Sequence, residues 1–491
     1  MSAICSAQQA RDFDQRTIKH YHIPALVLME HAAIECARFI AKKHPNHLLI
    51  VCGSGNNGGD GLAMARLLIQ AHIPVDVFLI GTHFSDDNQY QQAILKQMGI
   101  PILTDWATIK DHSYTYIIDC LFGNGLSREI KDPYYSLINE INHHASPTIA
   151  IDMPSGLDAT TGEILGIAIH ADITLSLDCI KWGQITNQGP ALCGQLHCLE
   201  IGIIHDTPTM ERIDETNIHL PKRSNLAHKG SFGKALMIGG SKAMHGAITM
   251  AAKACYKSGI GTLTLMLPAS IADILAYKMD SAMRLIYPQP NFDKKSSTYL
   301  QAHINAFDVL SIGNGMGQVP STIDMVHTAL ASSKPVLVDA DGLWALKDHP
   351  EWLHRQAPTI ITPHVKEFSY ISSLPVSTIA KHPLASIQTF VEAYPDVTLV
   401  LKSNVTIVAQ GQSQYVLYAP NSALSKGGSG DILCGIITGL FGQSQNALEA
   451  AVTGVYIHSQ CAKLDVDPAC VQPEDVIDQL PIVFRQLRKK G

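Results

Sequence analysis

The chain has 491 residues, of which 46% are hydrophobic and 16% are charged, and its formal net charge is −7. This length predicts two or three domains, and the composition supplies packed cores and excludes global disorder. Basic residues form no long block, which argues against an extended nucleic-acid surface.

The cysteine pattern and the N-terminus indicate where the protein works. The 11 cysteines include no CxxC pair, so neither a zinc ribbon nor a dithiol redox motif is expected. Several lie in apolar runs, which fits a reducing compartment. The N-terminus has no charged start followed by an apolar core, and no apolar run approaches the ~20 residues of a membrane span. We therefore expect a cytoplasmic protein that does not enter a membrane.

Short apolar runs alternate with helical patterns in the first half of the chain. Residues 11–43 predict one long helical segment. Four runs then predict buried strands, at residues 47–53, 74–81, 114–120 and 147–153. Strands that alternate with crossover helices predict a mostly parallel sheet with helices on both faces.

A polar stretch at residues 204–230 separates two such series. It contains two prolines and shows little periodicity, which predicts a linker with at most a short strand. Six further strands are expected at residues 234–240, 261–267, 308–315, 334–341, 358–362 and 398–402, followed by two final helices near residues 429–442 and 446–463. The pattern as a whole predicts an α/β protein with two domains.

A glycine loop at residues 53–61 follows the first predicted strand and opens a helix. Gly53, Gly55 and Gly58 satisfy the GxGxxG pattern of dinucleotide-binding dehydrogenases. However, Asp60 is expected in the first helical turn, where its carboxylate would compete with a pyrophosphate for the positive end of the helix dipole. A dehydrogenase is therefore the weakest of the hypotheses for this half.

Three further clusters are expected at the carboxyl ends of strands, the edge at which open α/β sheets bind ligands. They are Asp119 with the loop 122–129, the segment 152–158, and Lys181. For each cluster alone, the alternative is a turn rich in Gly, Pro and Asp that carries no chemistry. Their convergence in one domain favours a site.

Five segments of the first half point to one family. They are LMEHAA, GSGNNGGDG, IIDCLFGNGL, IDMPSGLD and IGI, at residues 28–33, 53–61, 117–126, 151–158 and 201–203. With them, residues 1–215 resemble the NAD(P)H-hydrate epimerase domain of the YjeF N-terminal type. The resemblance implies a Rossmann-like three-layer domain that inverts C6 of hydrated NADH or NADPH (NADHX or NADPHX), with Asp152 as the acid/base group. A carboxylate suits this task, because the inversion requires proton movement.

The same resemblance implies the ligand contacts of this half. The hydrated cofactor would be held by Asn56, Asn57, Gly58, Gly59, Asp60, Gly123, Asn124, Gly125, Leu126, Ser127, Arg128, Glu129, Tyr134 and Asp152. A K⁺ ion would be held by oxygens of Asn57, Asp119 and Ser155. The chain departs from the family at residues 31–33, where His-Ala-Ala replaces Asn-Ala-Gly, without touching a proposed catalytic group.

The second half carries its chemistry in KGGSGDILCGIITGL, at residues 426–440. Gly427, Gly428 and Gly430 precede a strongly apolar helix, whose free N–H groups can hold a phosphate or a developing oxyanion. Asp431 is expected in the first helical turn, where it could take a proton from a substrate hydroxyl. No GxxxxGK[ST] motif occurs, so this is not a P-loop. A simple glycine-rich helix cap is the alternative, although one glycine suffices for a cap.

Further segments of this half occur in one family's order. They are HKGSFGKALMIGGS, HGAITMAAKACYKSGIGTLTL, IGNGMG, VDADGL, TPHVKEF and LKSNVT, beginning at residues 228, 245, 312, 338, 362 and 401. With GGSGD, they make residues 222–491 resemble the ADP/ATP-dependent NAD(P)H-hydrate dehydratase domain, a ribokinase-like three-layer α/β domain. The resemblance implies that Lys402, Ser403, Asn404, Val405, Thr406 and Gly430 bind ADP or ATP. It implies contacts of the hydrate with Ala247, Gly315, His364 and Asp431.

The second half departs from its family at four positions. Val365 and Lys366 replace Pro and Gly, Trp344 replaces a common Asn, and Ser403 stands where Gly follows the lysine, which leaves that turn less free to bend. Mg²⁺ is implied by the nucleotide, with Glu367 as a candidate to arrange it through water. Asp431 would be the base for the hydroxyl, and ADP is favoured over ATP by the fused arrangement.

Both resemblances predict an enzyme that epimerises the R and S hydrates and dehydrates the S form, using the nucleotide to phosphorylate the C6 hydroxyl before elimination. A homo-oligomer acting only on small molecules is expected. One alternative is a ribokinase-like small-molecule kinase with a regulatory first half. A non-enzyme alternative makes the first half a binding module, because a fold alone does not make an enzyme.

Overall fold

The computed structural model of the chain describes residues 3–206 and 210–490. Residues 207–209, which fall in the predicted linker, lie outside the described residues. The chain divides into two compact units between Glu211 and Arg212, a point within the polar stretch 204–230. In the described ranges, no helix is both long and apolar enough to cross a membrane.

The first unit contains short strands that alternate with helices. Its elements in chain order are β1 (Ala3–Cys5), α1 (Ala7–Lys19), α2 (Ala25–Ala41), β2 (Leu48–Cys52), α3 (Asn56–Gln70), β3 (Val75–Leu79), α4 (Asp86–Gln97), β4 (Tyr116–Cys120), α5 (Tyr134–His143), β5 (Thr148–Ile151), β6 (Ile173–Leu177), β7 (Ile180–Lys181), α6 (Trp182–Ile185), α7 (Gly189–Leu192), β8 (Gln195–Leu199) and β9 (Met210–Arg212).

The main sheet of this unit is parallel and has the strand order β3-β2-β4-β5-β6-β8. One face is covered by an apolar cluster from α2, α3 and α4, and the other by a cluster that includes α5. This confirms the predicted three-layer arrangement. The short strand β1 pairs in parallel with β7 and antiparallel with β9, beside the main sheet.

The prediction of one long helix over residues 11–43 is wrong. The segment forms α1 and α2, which are separated by His22 in the left-handed region (φ 59°) and by Pro24. Proline fixes its own φ and disfavours helical geometry in the residue before it, so the chain breaks there. Ser6 caps the first helix by accepting from the backbone N–H of Gln9, whose side chain accepts in return from Ser6 N–H.

The second unit also alternates strands and helices, and its elements continue the numbering. They are β10 (Lys234–Ile238), α8 (His245–Lys257), β11 (Thr262–Pro268), α9 (Ala269–Lys278), β12 (Met283–Tyr287), α10 (Ser296–His303), β13 (Val309–Ile312), α11 (Pro320–Ala331), β14 (Val336–Val338), α12 (Asp341–Ala345), β15 (Thr359–Ile361), α13 (Val365–Ser372), α14 (Val376–Lys381), α15 (Pro383–Ala393), β16 (Val397–Leu401), β17 (Val405–Gln410), β18 (Ser413–Tyr418), α16 (Ser429–Ser444), α17 (Ala447–Cys461) and α18 (Pro473–Lys490).

The sheet of the second unit has the order β12-β11-β10-β13-β14-β15-β16-β17-β18. The strands from β12 to β16 are parallel, and β17 and β18 join as an antiparallel hairpin. Helix α16 is buried from Ile432 to Gly442 and packs between the sheet, α8 and α17. An all-round apolar helix is the pattern of a central core element.

Two predictions about the ends of elements need correction. A third helix, α18, follows the two predicted final helices. It is amphipathic and packs on α17 and α8. In addition, α3 begins at Asn56, so Asp60 lies in its second turn and not in its first.

Candidate active sites

The first candidate site is a cavity of about 680 Å³ at the carboxyl ends of the strands in the first unit. Of the predicted contacts, the cavity is lined by Asn56, Asn57, Asp60, Gly123, Asn124, Gly125, Leu126, Ser127, Arg128 and Asp152. Four others lie behind or beside it. Gly58 and Gly59 are buried in α3, Tyr134 packs on the ring of Phe122, and the side chain of Glu129 approaches Gly166.

Two glycines of the loop 53–61 are required by close backbone packing. A Cβ on Gly53 would lie 2.1 Å from the carbonyl oxygen of Leu121, and a Cβ on Gly58 would lie 1.9 Å from the carbonyl oxygen of Gly53. Real Cβ atoms are not found at such distances, so these glycines let α3 approach β2 and the loop after β4. At Gly55, by contrast, a Cβ would meet nothing within 4 Å.

Asp152 is held at the floor of the cavity by a buried cation. Its Oδ1 accepts from Lys181 Nζ at 2.5 Å, and its Oδ2 accepts from the backbone N–H of Asn124 at 2.9 Å. Lys181 also donates to the carbonyl of Leu177, and its side chain is only 2% exposed. Burial alone would lower the pKa of Lys181, but Asp152 outweighs it and raises that pKa. Lys181 is therefore an ammonium at neutral pH, and it forms an ion pair with Asp152.

The backbone at Asp152 is strained, with φ at 67° in a residue that is not glycine. Such strain persists only where the surroundings fix it, and it concentrates at functional sites. Gly123 opposes this residue: a Cβ there would stand 2.8 Å from Asp152 Oδ2. The close approach explains the glycine in the loop that was predicted to hold the substrate.

The three residues predicted to hold K⁺ lie around this floor. The carboxylate of Asp119 is fully buried and accepts from both the N–H and the hydroxyl of Ser155, at 2.8 and 2.6 Å. Asn57 donates to the carbonyl of Ile151, while its Oδ1 is buried and has no partner among the described residues. Burial raises the pKa of Asp119 to about 6. An orphaned buried amide oxygen and a buried carboxylate are both hard oxygen ligands, the kind that K⁺ takes.

Further carboxylates make the cavity acidic. Asp14 on α1 and Asp60 on α3 line it together with Asp152. Burial, and then the charge of Asp152, raise the pKa of Asp14 to about 6 and that of Asp60 well above its usual range. The sequence prediction missed Asp14, because no motif marks α1. Asp158 faces a local turn, where it accepts from Thr160 and Thr161.

The second candidate site lies at the carboxyl ends of the parallel strands in the second unit. Asn314, Asp339 and Lys402 follow β13, β14 and β16, and Asp431 enters from the first turn of α16. Gly428 precedes this helix at φ 96°, a left-handed conformation that glycine adopts without strain. The first-turn position predicted for Asp431 is confirmed.

One hydrogen-bond network joins these side chains. Asn314 donates to Asp431 Oδ1 at 2.7 Å and to Asp339 Oδ2 at 3.1 Å. Asp339 Oδ1 in turn accepts from Lys402 Nζ at 3.0 Å and from the hydroxyl of Thr362 at 2.7 Å. The proposed base and the proposed nucleotide lysine are thus connected through two residues to which the sequence prediction gave no role.

Burial sets the protonation of this site. It raises the pKa of Asp431 to about 6, against the opposing effect of the hydrogen bond from Asn314. For Lys402, burial would lower the pKa, but Asp339 and then Glu367 raise it. Burial, and then the charge of Lys402, lower the pKa of His458, which contacts Ser429, to about 4. The site therefore holds an ammonium, a neutral imidazole and a carboxylate that titrates near pH 6.

The remaining predicted contacts fall into two groups. Gly315 is at φ 71°, and a Cβ there would lie 2.4 Å from Met244 carbonyl oxygen and 3.2 Å from Ala247 Cβ, so the two predicted hydrate contacts adjoin. His364 caps α13: its Nδ1 accepts from Glu367 N–H, and its own N–H donates to the Glu367 carboxylate. His364 and Lys402 also form an isolated parallel β-bridge just beyond the ends of the neighbouring strands β15 and β16.

The segment 402–406 forms a tight turn into β17. The hydroxyl of Ser403 donates to the carbonyl of Val405 and accepts from its N–H. The serine thus closes this turn with its side chain, at the position where the family has a glycine. Asn404 is exposed, Val405 is buried, and Thr406 is half-buried. Gly430 lies beside Lys402: a Cβ on it would be 3.4 Å from Nζ.

Comparisons with known proteins cover both units. A family model described as the N-terminus of YjeF-related proteins matches residues 25–183, and one described as NAD(P)H-hydrate dehydratase matches residues 235–481. The chain is 31% identical to the bifunctional NAD(P)H-hydrate repair enzyme Nnr of Moorella thermoacetica, over 99% of this chain and 97% of that protein.

Solved structures resemble the second unit. The ADP/ATP-dependent NAD(P)H-hydrate dehydratase of Bacillus subtilis, co-crystallised with ATP and Mg²⁺, aligns at 26% identity and a TM-score of 0.50, over 57% of this chain and 99% of that one. A ribokinase-like superfamily protein of Enterococcus faecalis aligns at 24% identity and a TM-score of 0.52, over 58% of this chain and 99% of that one. The predicted ribokinase-like fold of this unit is confirmed.

Proposed function

Because the chain belongs to the family of bifunctional NAD(P)H-hydrate repair enzymes, we propose that its two candidate sites divide the two repair reactions between them. The family acts on NADH and NADPH that have taken up water. The first unit epimerises the hydrate and the second removes the water. The observation that carries this division is that each unit has its own buried carboxylate, Asp152 or Asp431, at the ligand-binding edge of its own sheet.

In the epimerase site, Asp152 is the proton-transfer group. Lys181 donates to Oδ1 and so orients the carboxylate, while Oδ2 faces the cavity beside the Asn124 amide. An ionised, oriented carboxylate can accept a proton from the hydrated nicotinamide and return it. The loop 123–128 and Asn56, Asn57 and Asp60 of α3 line the cavity and contact the substrate, with Gly58 and Gly59 behind them. Tyr134 and Glu129 act at the rim.

Asn57, Asp119 and Ser155 hold a K⁺ ion in this proposal. The unpartnered Oδ1 of Asn57 and the buried carboxylate of Asp119 support it, since both supply hard oxygen ligands. A bound cation also offsets the negative charge of an acidic cavity that must accept a pyrophosphate. Epimerisation that depends on K⁺, and that is lost in Asn57→Leu, would test the assignment.

In the dehydratase site, Asp431 takes the proton of the C6 hydroxyl while that oxygen bonds to the terminal phosphorus of the nucleotide and the phosphoanhydride bond breaks. The N–H groups at the start of α16 and the ammonium of Lys402 stabilise the negative charge on the phosphoryl group during its transfer. Loss of the C5 proton and of the phosphate then forms the double bond of the dihydropyridine. Ala247, Gly315 and His364 contact the hydrate.

We propose ADP as the preferred phosphoryl donor, bound by residues 402–406 and Gly430. Mg²⁺ supplies charge neutralisation when bound, with Glu367 placed to arrange it through water. The half-buried carboxylate of Glu367, close enough to Lys402 to raise its pKa, supports this role. Steady-state rates with ADP and ATP, each with and without Mg²⁺, test the preference.

The decisive experiment uses acid-aged NADH, which contains both hydrate epimers. With Mg²⁺, K⁺ and nucleotide, the wild-type protein is expected to restore the near-ultraviolet absorbance of NADH from both epimers. Asp152→Asn should leave one epimer unconsumed, and Asp431→Asn should stop recovery while epimerisation, followed by chromatography, continues. A stable phosphorylated product in place of NADH and free phosphate would support a small-molecule kinase instead.

Two broader properties are also proposed. Nine of the 11 cysteines are buried, which fits a cytoplasmic protein. The edge strand β12 exposes Met283 and Ile286, and Tyr277 is exposed nearby in sequence, which supports a homo-oligomer that covers them. Analytical ultracentrifugation against the 53.3 kDa chain mass tests the assembly.

A further inference from the structure

We propose that Asn314 is a positioning residue for the dehydration reaction, which keeps Asp431 ionised and couples it to Lys402 through Asp339. The inference rests on the proposed role of Asp431 as the base. It goes further by assigning the control of that base to a side chain that neither touches the hydrate nor belongs to the predicted contacts.

The contacts of Asn314 fit only one orientation of its side-chain amide. The side chain is 1% exposed, and its two N–H donors go to two different carboxylates, Asp431 and Asp339. Its Oδ1 accepts from the thiol of Cys434 at 3.2 Å. A thiol donor at the oxygen and two carboxylates at the nitrogen fix the orientation of the amide. The residue is therefore fixed by Asp431 and Cys434 on α16 and by Asp339 at the end of β14.

The consequence of this arrangement is electrostatic. Without the amide, the carboxylates of Asp339 and Asp431 would face each other in a buried site, and like charges raise each other's pKa. With it, each carboxylate receives a hydrogen bond that favours its charged form. Asn314 therefore favours the charged form of Asp431, against the burial and the neighbouring Asp339 that raise its pKa.

Other charged and titratable groups act on Asp431 from the elements around it. Asp341 at the start of α12 raises its pKa with Asp339, and Lys402 at the end of β16 lowers it. Cys434 on the same helix has a pKa raised by burial, and His458 on α17 is kept neutral. The lysine is the only cation among the groups that shift this pKa in the described chain, so loss of the amide cannot be offset by a second cation.

The test compares pH profiles of dehydration for two variants of nearly constant side-chain shape. Asn314→Leu removes both donors, and Asn314→Asp replaces the amide with a third carboxylate. The matched control is Asn446→Leu, which removes the side-chain cap of α17 beyond the far end of α16. Each variant is assayed as the full-length chain with saturating nucleotide and Mg²⁺, and its melting temperature is recorded.

The midpoint of the acidic limb in the profile of kcat against pH is expected to rise by about one pH unit in Asn314→Leu, and by more in Asn314→Asp. For a midpoint that starts near pH 6, the Leu variant then loses about five-fold in rate at pH 6 and little at pH 8. The KM for nucleotide should stay constant, because Asn314 does not contact Lys402. The control variant, Asn446→Leu, should have a lower melting temperature but the same midpoint in its pH profile.

An unchanged midpoint in the Leu and Asp variants would overturn the inference, whatever their melting temperatures. Where the Leu variant does not fold, Asn314→Ser, which retains at most one donor, is expected to show the same upward direction, and its failure to do so would also overturn it. The assignment of the base is tested separately: full activity in Asp431→Asn would refute the proposed function and not the geometry of Asn314.

Discussion

At the scale of single residues, the two proposed acid/base carboxylates are stabilised in different ways. Asp152 is paired with the ammonium of Lys181. Asp431 instead accepts a hydrogen bond from the neutral amide of Asn314, and it is linked to Lys402 only through Asn314 and Asp339. A direct buried cation holds an acid ionised more strongly than an amide does. Because burial raises the pKa of Asp431 to about 6, we expect the kcat of dehydration to fall as the pH is lowered through about 6.

Lys181→Met provides the sharpest residue-scale test of the first unit. Removal of the ammonium leaves Asp152 buried without its cation, which destabilises the unit by about 3–5 kcal/mol and favours a protonated carboxyl that cannot act as a base. The rate of epimer interconversion, followed by chromatography, should fall by at least about 10². Dehydration of the S epimer should persist, because the second unit is untouched, and the melting transition of the first unit shows whether that unit is folded.

The control for this variant is Lys110→Met, an exposed lysine of the same unit. It should keep both activities and the wild-type melting temperature. Wild-type epimerisation by a folded Lys181→Met protein would contradict the role given to the ion pair.

At the scale of elements, the sequence predicts well wherever a short apolar run ends in glycine or aspartate. The strands β2, β5, β10, β13 and β14 follow this pattern, and their runs are continuously apolar because both faces of a parallel sheet are buried. Strand β12 was missed because three of its five residues are exposed. The hairpin β17–β18 was missed because polar residues interrupt its apolar runs, and only two residues of β18 are buried.

Contacts between distant residues were beyond prediction from the sequence. Asn314 and Asp431 stand 117 positions apart, and Asp152 and Lys181 stand 29 apart. Motif analysis placed each near a strand end or a helix start, but only the register of the sheet brings partners together. The roles of Asn314, Asp339 and Asp14 therefore emerge only in three dimensions.

Gly53→Ala tests the packing of α3 at the element scale. Its new Cβ would collide with the carbonyl of Leu121, 2.1 Å away, and must push the loop 121–128 from the cavity wall. Overpacking of this kind costs about 1–3 kcal/mol, so the melting temperature should fall by several degrees and epimerisation should be lost, with dehydration retained. Gly55→Ala meets nothing within 4 Å and should keep the melting temperature. Equal melting temperatures for both variants would contradict the packing argument.

At the scale of the whole molecule, each unit carries its own proposed catalytic site. The ion pair of Asp152 lies within the first unit, and the network of Asp431 lies within the second. Hydration of NADH gives two C6 epimers, and a dehydratase for one of them leaves the other behind. Fusion of the units supplies both catalysts in equal amounts, which lets repair run to completion.

This self-sufficiency predicts complementation between two inactive chains. Asp152→Asn alone should stall with one epimer left, and Asp431→Asn alone should form no NADH. An equimolar mixture should convert both epimers completely, because hydrate released from one chain can enter the other. Recovery is measured by the return of NADH and by chromatography of the remaining epimers. A mixture that still strands one epimer would mean that the hydrate must pass between the units of a single chain without release.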